Sequence, residues 1–118
     1  MSQSRQLPVT ALAAELKDQS IPLAQANIWD VRDHSAYLEG HLEGAVNQPV
    51  EQGFTPTMLA DLTGPLYVLC GGGSKAPRAA ALITELNPEL EVVILSGGTR
   101  QAKAEGLTIV SGEAVYSS

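Results

Sequence analysis

Hydrophobic residues in this chain recur in short blocks, separated by glycine, proline and polar residues, and the blocks alternate between two periods. Over residues 9–16, Val9, Leu12, Ala13 and Leu16 fall on one helical face, which predicts a short helix with Thr10 as its N-cap. Asn27-Ile28-Trp29-Asp30-Val31-Arg32 is apolar until it ends in charge, the pattern of a buried strand emerging at the end of a sheet, and it is the first strand predicted. Residues 35–39 suit one helical turn stopped by Gly40, and Ala45-Val46-Asn47 a brief second strand. Residues 55–62 open as a helix, with Thr55 as cap and Pro56 in the first helical position, until Gly64-Pro65 breaks it.

The next block is different in kind. Leu66-Tyr67-Val68-Leu69-Cys70 is continuously apolar, meets Gly71-Gly72-Gly73-Ser74, and is followed by helical spacing over residues 79–86, which reads as strand, glycine loop, helix. Glu91-Val92-Val93-Ile94-Leu95 gives a further buried strand ended by Ser96-Gly97-Gly98, then a polar helical segment over residues 99–105 and Gly106. Strands alternating with helices predict an α/β fold, a central, mainly parallel β-sheet flanked by helices on both faces. A length of 118 residues, 44% of them hydrophobic, fits one domain spanning residues 1–118.

Composition narrows the function classes. Seven Lys and Arg against thirteen Asp and Glu give a formal charge of -6, and without a basic stretch to neutralise a row of phosphates, nucleic acid is not an expected partner. The polar N-terminus lacks a signal-peptide pattern and no apolar run approaches the ~18 residues of a membrane helix, so a soluble, cytoplasmic chain without membrane partners is expected. One cysteine excludes an internal disulfide, and with His34 and His41 as the only other soft ligands no metal site is expected.

Cys70 carries the chemistry. A cysteine between a buried strand and a glycine loop that opens a helix sits where backbone N–H groups converge and the helix dipole is positive, a site that favours an anion. A thiolate is the nucleophilic form of cysteine, so Cys70 is a candidate nucleophile, with Lys75 adding positive charge at the rim. The alternative is an inert buried thiol at the end of a core strand, with glycines that merely turn the chain. Two other loops fail on spacing. A phosphate-binding loop needs Gly-Lys-Ser/Thr, whereas Ser74 here precedes Lys75; a cysteine phosphatase needs an arginine six residues after the cysteine, where Ala76 stands and Arg78 comes two residues too late.

Taken together, the motifs resemble the rhodanese homology family. Asp30-Val31-Arg32 looks like its Asp-x-Arg strand, Gly40-His41-Leu42-Glu43-Gly44-Ala45 is similar to its Gly-His-Ile-Pro-Gly-Ala segment, Cys70 to Lys75 matches a six-residue active-site loop, and Gly97-Gly98 its late glycine pair. The resemblance implies a reaction in which Cys70 takes sulfane sulfur from a small donor and passes it to a thiophilic acceptor or a partner thiol, with no metal or organic cofactor. Gly71, Gly72, Gly73, Ser74 and Lys75 would then surround the persulfide with backbone donors. Asp30 and Arg32 read as structural residues that tie the first strand to neighbouring loops rather than as catalytic ones, and His41 as a buried hydrogen-bonding residue rather than a base; His34 reads as surface and Trp29 as core.

The sequence departs from that family where Ala36 replaces an acid, Glu43 a proline, Lys75-Ala76 an Arg followed by Ser or Thr, and Ala102 a tryptophan. These changes leave two functions to weigh: a sulfurtransferase, and a non-turnover binding, sensing or sulfur-relay module on the same fold. With Lys75 as the sole loop cation, thiosulfate is expected to be a mediocre donor, and a less charged persulfide, a mercapto-acid or a protein persulfide a better one.

Overall fold

The strand predicted to run into the cysteine loop is the centre of the sheet. The computed structural model describes residues 4–62, 65–72 and 74–112. Its main sheet contains β1 (Ser4–Pro8), β2 (Asn27–Asp30), β4 (Val46–Asn47), β5 (Leu66–Leu69) and β6 (Val92–Ser96), all parallel, in the order β1-β6-β5-β2-β4. β3 (His41–Leu42) and β7 (Ile109–Val110) form a separate antiparallel pair. The helices are α1 (Leu12–Asp18), α2 (His34–Glu39), α3 (Pro56–Leu59), α4 (Lys75–Leu86) and α5 (Gly98–Ala104).

Strand alternation builds two cores. Leu66, Val68, Val92 and Ile94 point to one face, where Ala76, Ala79, Ala80 and Ile83 of α4 and Leu59 of α3 cover them. Tyr67, Leu69, Val93 and Leu95 point to the other, beneath Leu12 and Leu16 of α1 and Ala102 of α5. Because both faces are covered, β5 is buried at every residue, which is why it reads as an unbroken apolar run. Trp29 is buried in the first core and stacks on Phe54, with ring centroids 5.6 Å apart.

Two expectations change, and two short strands are new. The strand at residues 27–30 is the second, because Ser4–Pro8 forms an edge strand along β6; its polar residues suit an edge and hid it from the hydrophobic pattern. Thr10 caps nothing: it lies inside a 3₁₀ turn, Val9–Ala11, that precedes α1. The strands β3 and β7 have two residues each, too few for periodicity to register. Thr55 does cap α3, its Oγ1 accepting from the Met58 N–H at 3.4 Å, with Pro56 in the first position. Gly64, read as part of the break after it, lies outside the described residues.

The end of β2 is held by a buried ion pair. The Arg32 guanidinium donates Nε to Asp30 Oδ1 at 2.9 Å and Nη2 to Oδ2 at 2.6 Å, and Nη2 also reaches the Gly40 carbonyl at 2.7 Å. Asp30 is fully buried. The fork therefore ties the strand end to the start of the β3 segment with directional, charge-assisted bonds. Beside it His41, also buried, stacks on Tyr37 at 3.7 Å between centroids and donates Nδ1–H to the Tyr37 carbonyl at 2.9 Å, while the Tyr37 hydroxyl donates to Ala45 O at 2.6 Å. His34 is exposed, and its Nδ1 lies 3.0 Å from Asn47 Oδ1.

A second cluster pins the edge strand. Arg5 of β1 pairs with both Glu15 of α1 and Glu91, and Glu15 also accepts from Tyr67 Oη at 2.9 Å and from Gln19. The Arg5 hydrogen bond holds the Glu15 carboxyl below the usual glutamate range, while burial and the neighbouring carboxylate push the Tyr67 phenol up.

Two outcomes follow for stability. Arg32→Ala strands a fully buried carboxylate and should cost about 3 kcal/mol, measured by urea unfolding, with Arg32→Lys recovering only part because it lacks the fork. A cost under about 1 kcal/mol would mean that the pair is not a brace. For Glu15, whose folded pKa is depressed, the contribution is present above the unfolded value and lost as pH falls through the folded one. The wild type should lose stability below about pH 4.3, and Glu15→Gln should flatten that decline at a cost of about 1 kcal/mol at pH 7.

Candidate active site

Cys70 follows β5 directly, and the alternation that puts Leu66 and Val68 under α4 puts its side chain on the same face, 4% exposed. Its backbone is fixed from the β6 side. The Thr99 N–H at the start of α5 donates to the Cys70 carbonyl at 2.8 Å. Gly97 and Gly98, at φ +84° and +59°, turn the chain into this contact, and a Cβ at Gly98 would lie 2.1 Å from the Cys70 oxygen and 2.8 Å from the Gly72 nitrogen. Only glycine permits that approach. Because the following peptide is planar and trans, a carbonyl turned toward α5 turns the Gly71 N–H the opposite way. The Thr99 hydroxyl is itself buried and lacks a hydrogen-bond partner among the described residues.

The loop then runs through Gly71 and Gly72, the latter at φ +127°, to Ser74 at the N-cap of α4. Gly73 lies outside the described residues. The Ser74 side chain makes no capping bond, and its carbonyl accepts from the Arg78 N–H at 3.3 Å. Within the first turn Lys75 and Ala76 keep N–H groups, whereas Pro77 has none, so this helix end offers one donor fewer than usual.

Lys75 does not stand open at the rim. Its Nζ lies 3.2 Å from Asp33 Oδ1 and 3.1 Å from Glu51 Oε2, and these bonds, Glu51 first, raise its pKa. Two carboxylates against one ammonium leave this edge of the loop net negative. A second cation escaped the sequence reading: the Cβ of Arg100, exposed on α5, lies 3.8 Å from where a Cβ on Gly72 would stand. The loop spacing gave no signal for it, because the contact depends on how α5 docks.

A pocket of about 240 Å³ opens beside Cys70 on the α4 face, walled by Gln6, Ala76, Pro77, Ile94 and Ser96 and by the backbone of the Gly97-Gly98 turn. Among the described residues Cys70 is the only titratable one lining it. Gln6 reaches the site from β1, the strand that the hydrophobic pattern concealed. A larger apolar cavity of about 380 Å³, between α1 and the β3–β7 pair, includes Leu12, Leu16 and Leu42, which belong to the opposite core and not to that of Cys70. Among the described residues no group of His, Cys, Asp and Glu is placed to hold a metal ion, and no helix is long and apolar enough to cross a membrane.

Comparisons with known proteins agree with this arrangement. A rhodanese-like domain family model matches residues 9–105. Among solved structures, the Alr3790 protein from Anabaena sp. is 27% identical with a TM-score of 0.74, covering 90% of this chain and 80% of its own. The thiosulfate sulfurtransferase from Pseudomonas aeruginosa is 25% identical with a TM-score of 0.76, covering 96% of this chain but only 21% of its own. The BH2092 protein from Bacillus halodurans, 23% identical with a TM-score of 0.73 over 93% of this chain and 77% of its own, shares the fold. No curated protein sequence matches. With the family model spanning β2 to β6, the cysteine loop and the glycine pair that clamps it, the chain belongs to the rhodanese-like domain family.

Proposed function

We propose that this protein is a sulfurtransferase that carries sulfane sulfur on Cys70. The Cys70 thiolate attacks the outer sulfur of a donor; the donor's bond to that sulfur breaks, and the remainder leaves with the electron pair, as sulfite when the donor is thiosulfate. A nucleophilic acceptor, or a partner thiol, then attacks the outer sulfur of the persulfide, and Cys70 departs as a thiolate. With cyanide the product is thiocyanate. The observation that carries the reading is the clamp on the Cys70 peptide beside a pocket: the carbonyl is occupied by the Thr99 N–H, and Cys70, at the edge of the first core, also lines the pocket.

A relay or binding role with little turnover has one specific observation behind it. Lys75, the loop's cation, is engaged by Asp33 and Glu51, so the rim does little to attract a dianionic donor.

Replacing Cys70 decides the chemistry. Cys70→Ser should lower thiosulfate:cyanide transfer by on the order of 10³-fold or more while the circular dichroism spectrum is unchanged; a folded variant that retains activity would refute the proposal. Charge at the rim is tested by making it more positive. Gly71 does not adopt a positive φ, and among the described residues a Cβ there would meet only Arg32 Cδ at 3.6 Å, so the site accepts a side chain. Gly71→Arg should raise kcat/KM for thiosulfate about fivefold, and Glu51→Gln, which frees Lys75 in part, about twofold, both gains shrinking at high salt. Unchanged values in both variants would mean that side-chain charge does not govern donor capture.

A further inference from the structure

We infer that the pocket beside Cys70 selects small thiols whose far end is uncharged and hydrogen-bonding, such as a hydroxyl or amide, as sulfur acceptors; this rests on Cys70 acting as the sulfur carrier. The walls carry the argument. Apart from Cys70, every lining residue among those described is non-titratable, and their polar side chains are the Gln6 amide and the Ser96 hydroxyl, set among Ala76, Pro77 and Ile94. An amide and a hydroxyl each donate and accept, so they satisfy a neutral polar group in either sense. A carboxylate or ammonium entering the same space would lose hydration without meeting a counter-charge.

Two neighbouring features point the same way. Pro77 removes one of the N–H groups that the first turn of α4 would otherwise direct toward an anion. Lys75, the cation closest in sequence, is held by Asp33 and Glu51 rather than by the pocket, whose lining also excludes Arg100. About 240 Å³ lies below the usual range for drug-sized ligands, which suits a thiol of a few heavy atoms.

The transfer is balanced without an oxidant or reductant. The acceptor thiolate attacks the outer sulfur of the Cys70 persulfide, a new sulfur–sulfur bond forms on the acceptor, the bond to Cys70 breaks, and Cys70 leaves as a thiolate. The acceptor departs as a persulfide.

The test loads Cys70 with inorganic polysulfide, confirms the added sulfur by mass, and follows its loss to 2-mercaptoethanol, mercaptoacetate and cysteamine. Rate constants are expressed per thiolate and compared with those of a small-molecule persulfide. The wild type should favour 2-mercaptoethanol over both charged thiols by about fivefold beyond that chemical reference. Gln6→Lys, an exposed edge-strand position, should move the preference toward mercaptoacetate by a similar factor, with the gain reduced at high salt. Equal or faster transfer to mercaptoacetate in the wild type would overturn the inference, and Arg100→Gln abolishing that preference would assign acceptor capture to Arg100 instead. Selectivity indifferent to Gln6→Lys would show that acceptors do not use this pocket. Failure of the wild type to load sulfur would instead refute the carrier role itself.

Discussion

The close approach of the Gly97-Gly98 turn to the Cys70 peptide is the contact on which the site depends. No side chain fits between them, because a Cβ at Gly98 would overlap the Cys70 carbonyl. The Thr99 N–H occupies that carbonyl and thereby orients the peptide that leads into the loop. The clamp works because β5 and β6 are parallel neighbours whose ends emerge side by side, and because α5 starts immediately after β6. A central strand braced on both flanks, by this turn and by β2 with its Asp30–Arg32 fork, gives the cysteine a fixed position at the carboxyl end of the sheet, where open α/β sheets place their ligands.

Much of this was legible in the sequence, for identifiable reasons. β5 and β6 are buried on both faces and so consist of unbroken apolar runs. α3 announces itself through Thr55 and Pro56, and Gly106, at φ +82°, marks the end of α5. The cysteine loop stood out because glycines, an abrupt strand end and a following helix coincide. What escaped lay in tertiary contacts. β1 is stabilised by backbone pairing to β6 and by the Arg5 cluster, and neither leaves a hydrophobic period. Its concealment hid Gln6, and with it one wall of the pocket. The engagement of Lys75 by Asp33 and Glu51, residues 42 and 24 positions away, brings together loops that only the folded sheet juxtaposes.

Departures from the family pattern acquire physical content in the fold. Ala76 is buried in the first turn of α4 and presents a methyl to the pocket where a hydroxyl would donate. Ala102 is fully buried under the sheet's second face, so its small size is a packing feature of α5 and not a change at the sulfur. Lys75 supplies charge that its neighbours cancel. The backbone scaffold around Cys70 is thus kept while the loop's own cation, Lys75, is engaged by carboxylates.

Mass spectrometry of the intact protein after incubation with thiosulfate and with a low-molecular-weight persulfide, followed by peptide mapping, addresses the central claim most directly. The account predicts a gain of one sulfur atom, confined to the peptide containing Cys70 and removed by cyanide. A protein that stays unmodified with every donor while folded, or that carries sulfur anywhere else, would contradict it.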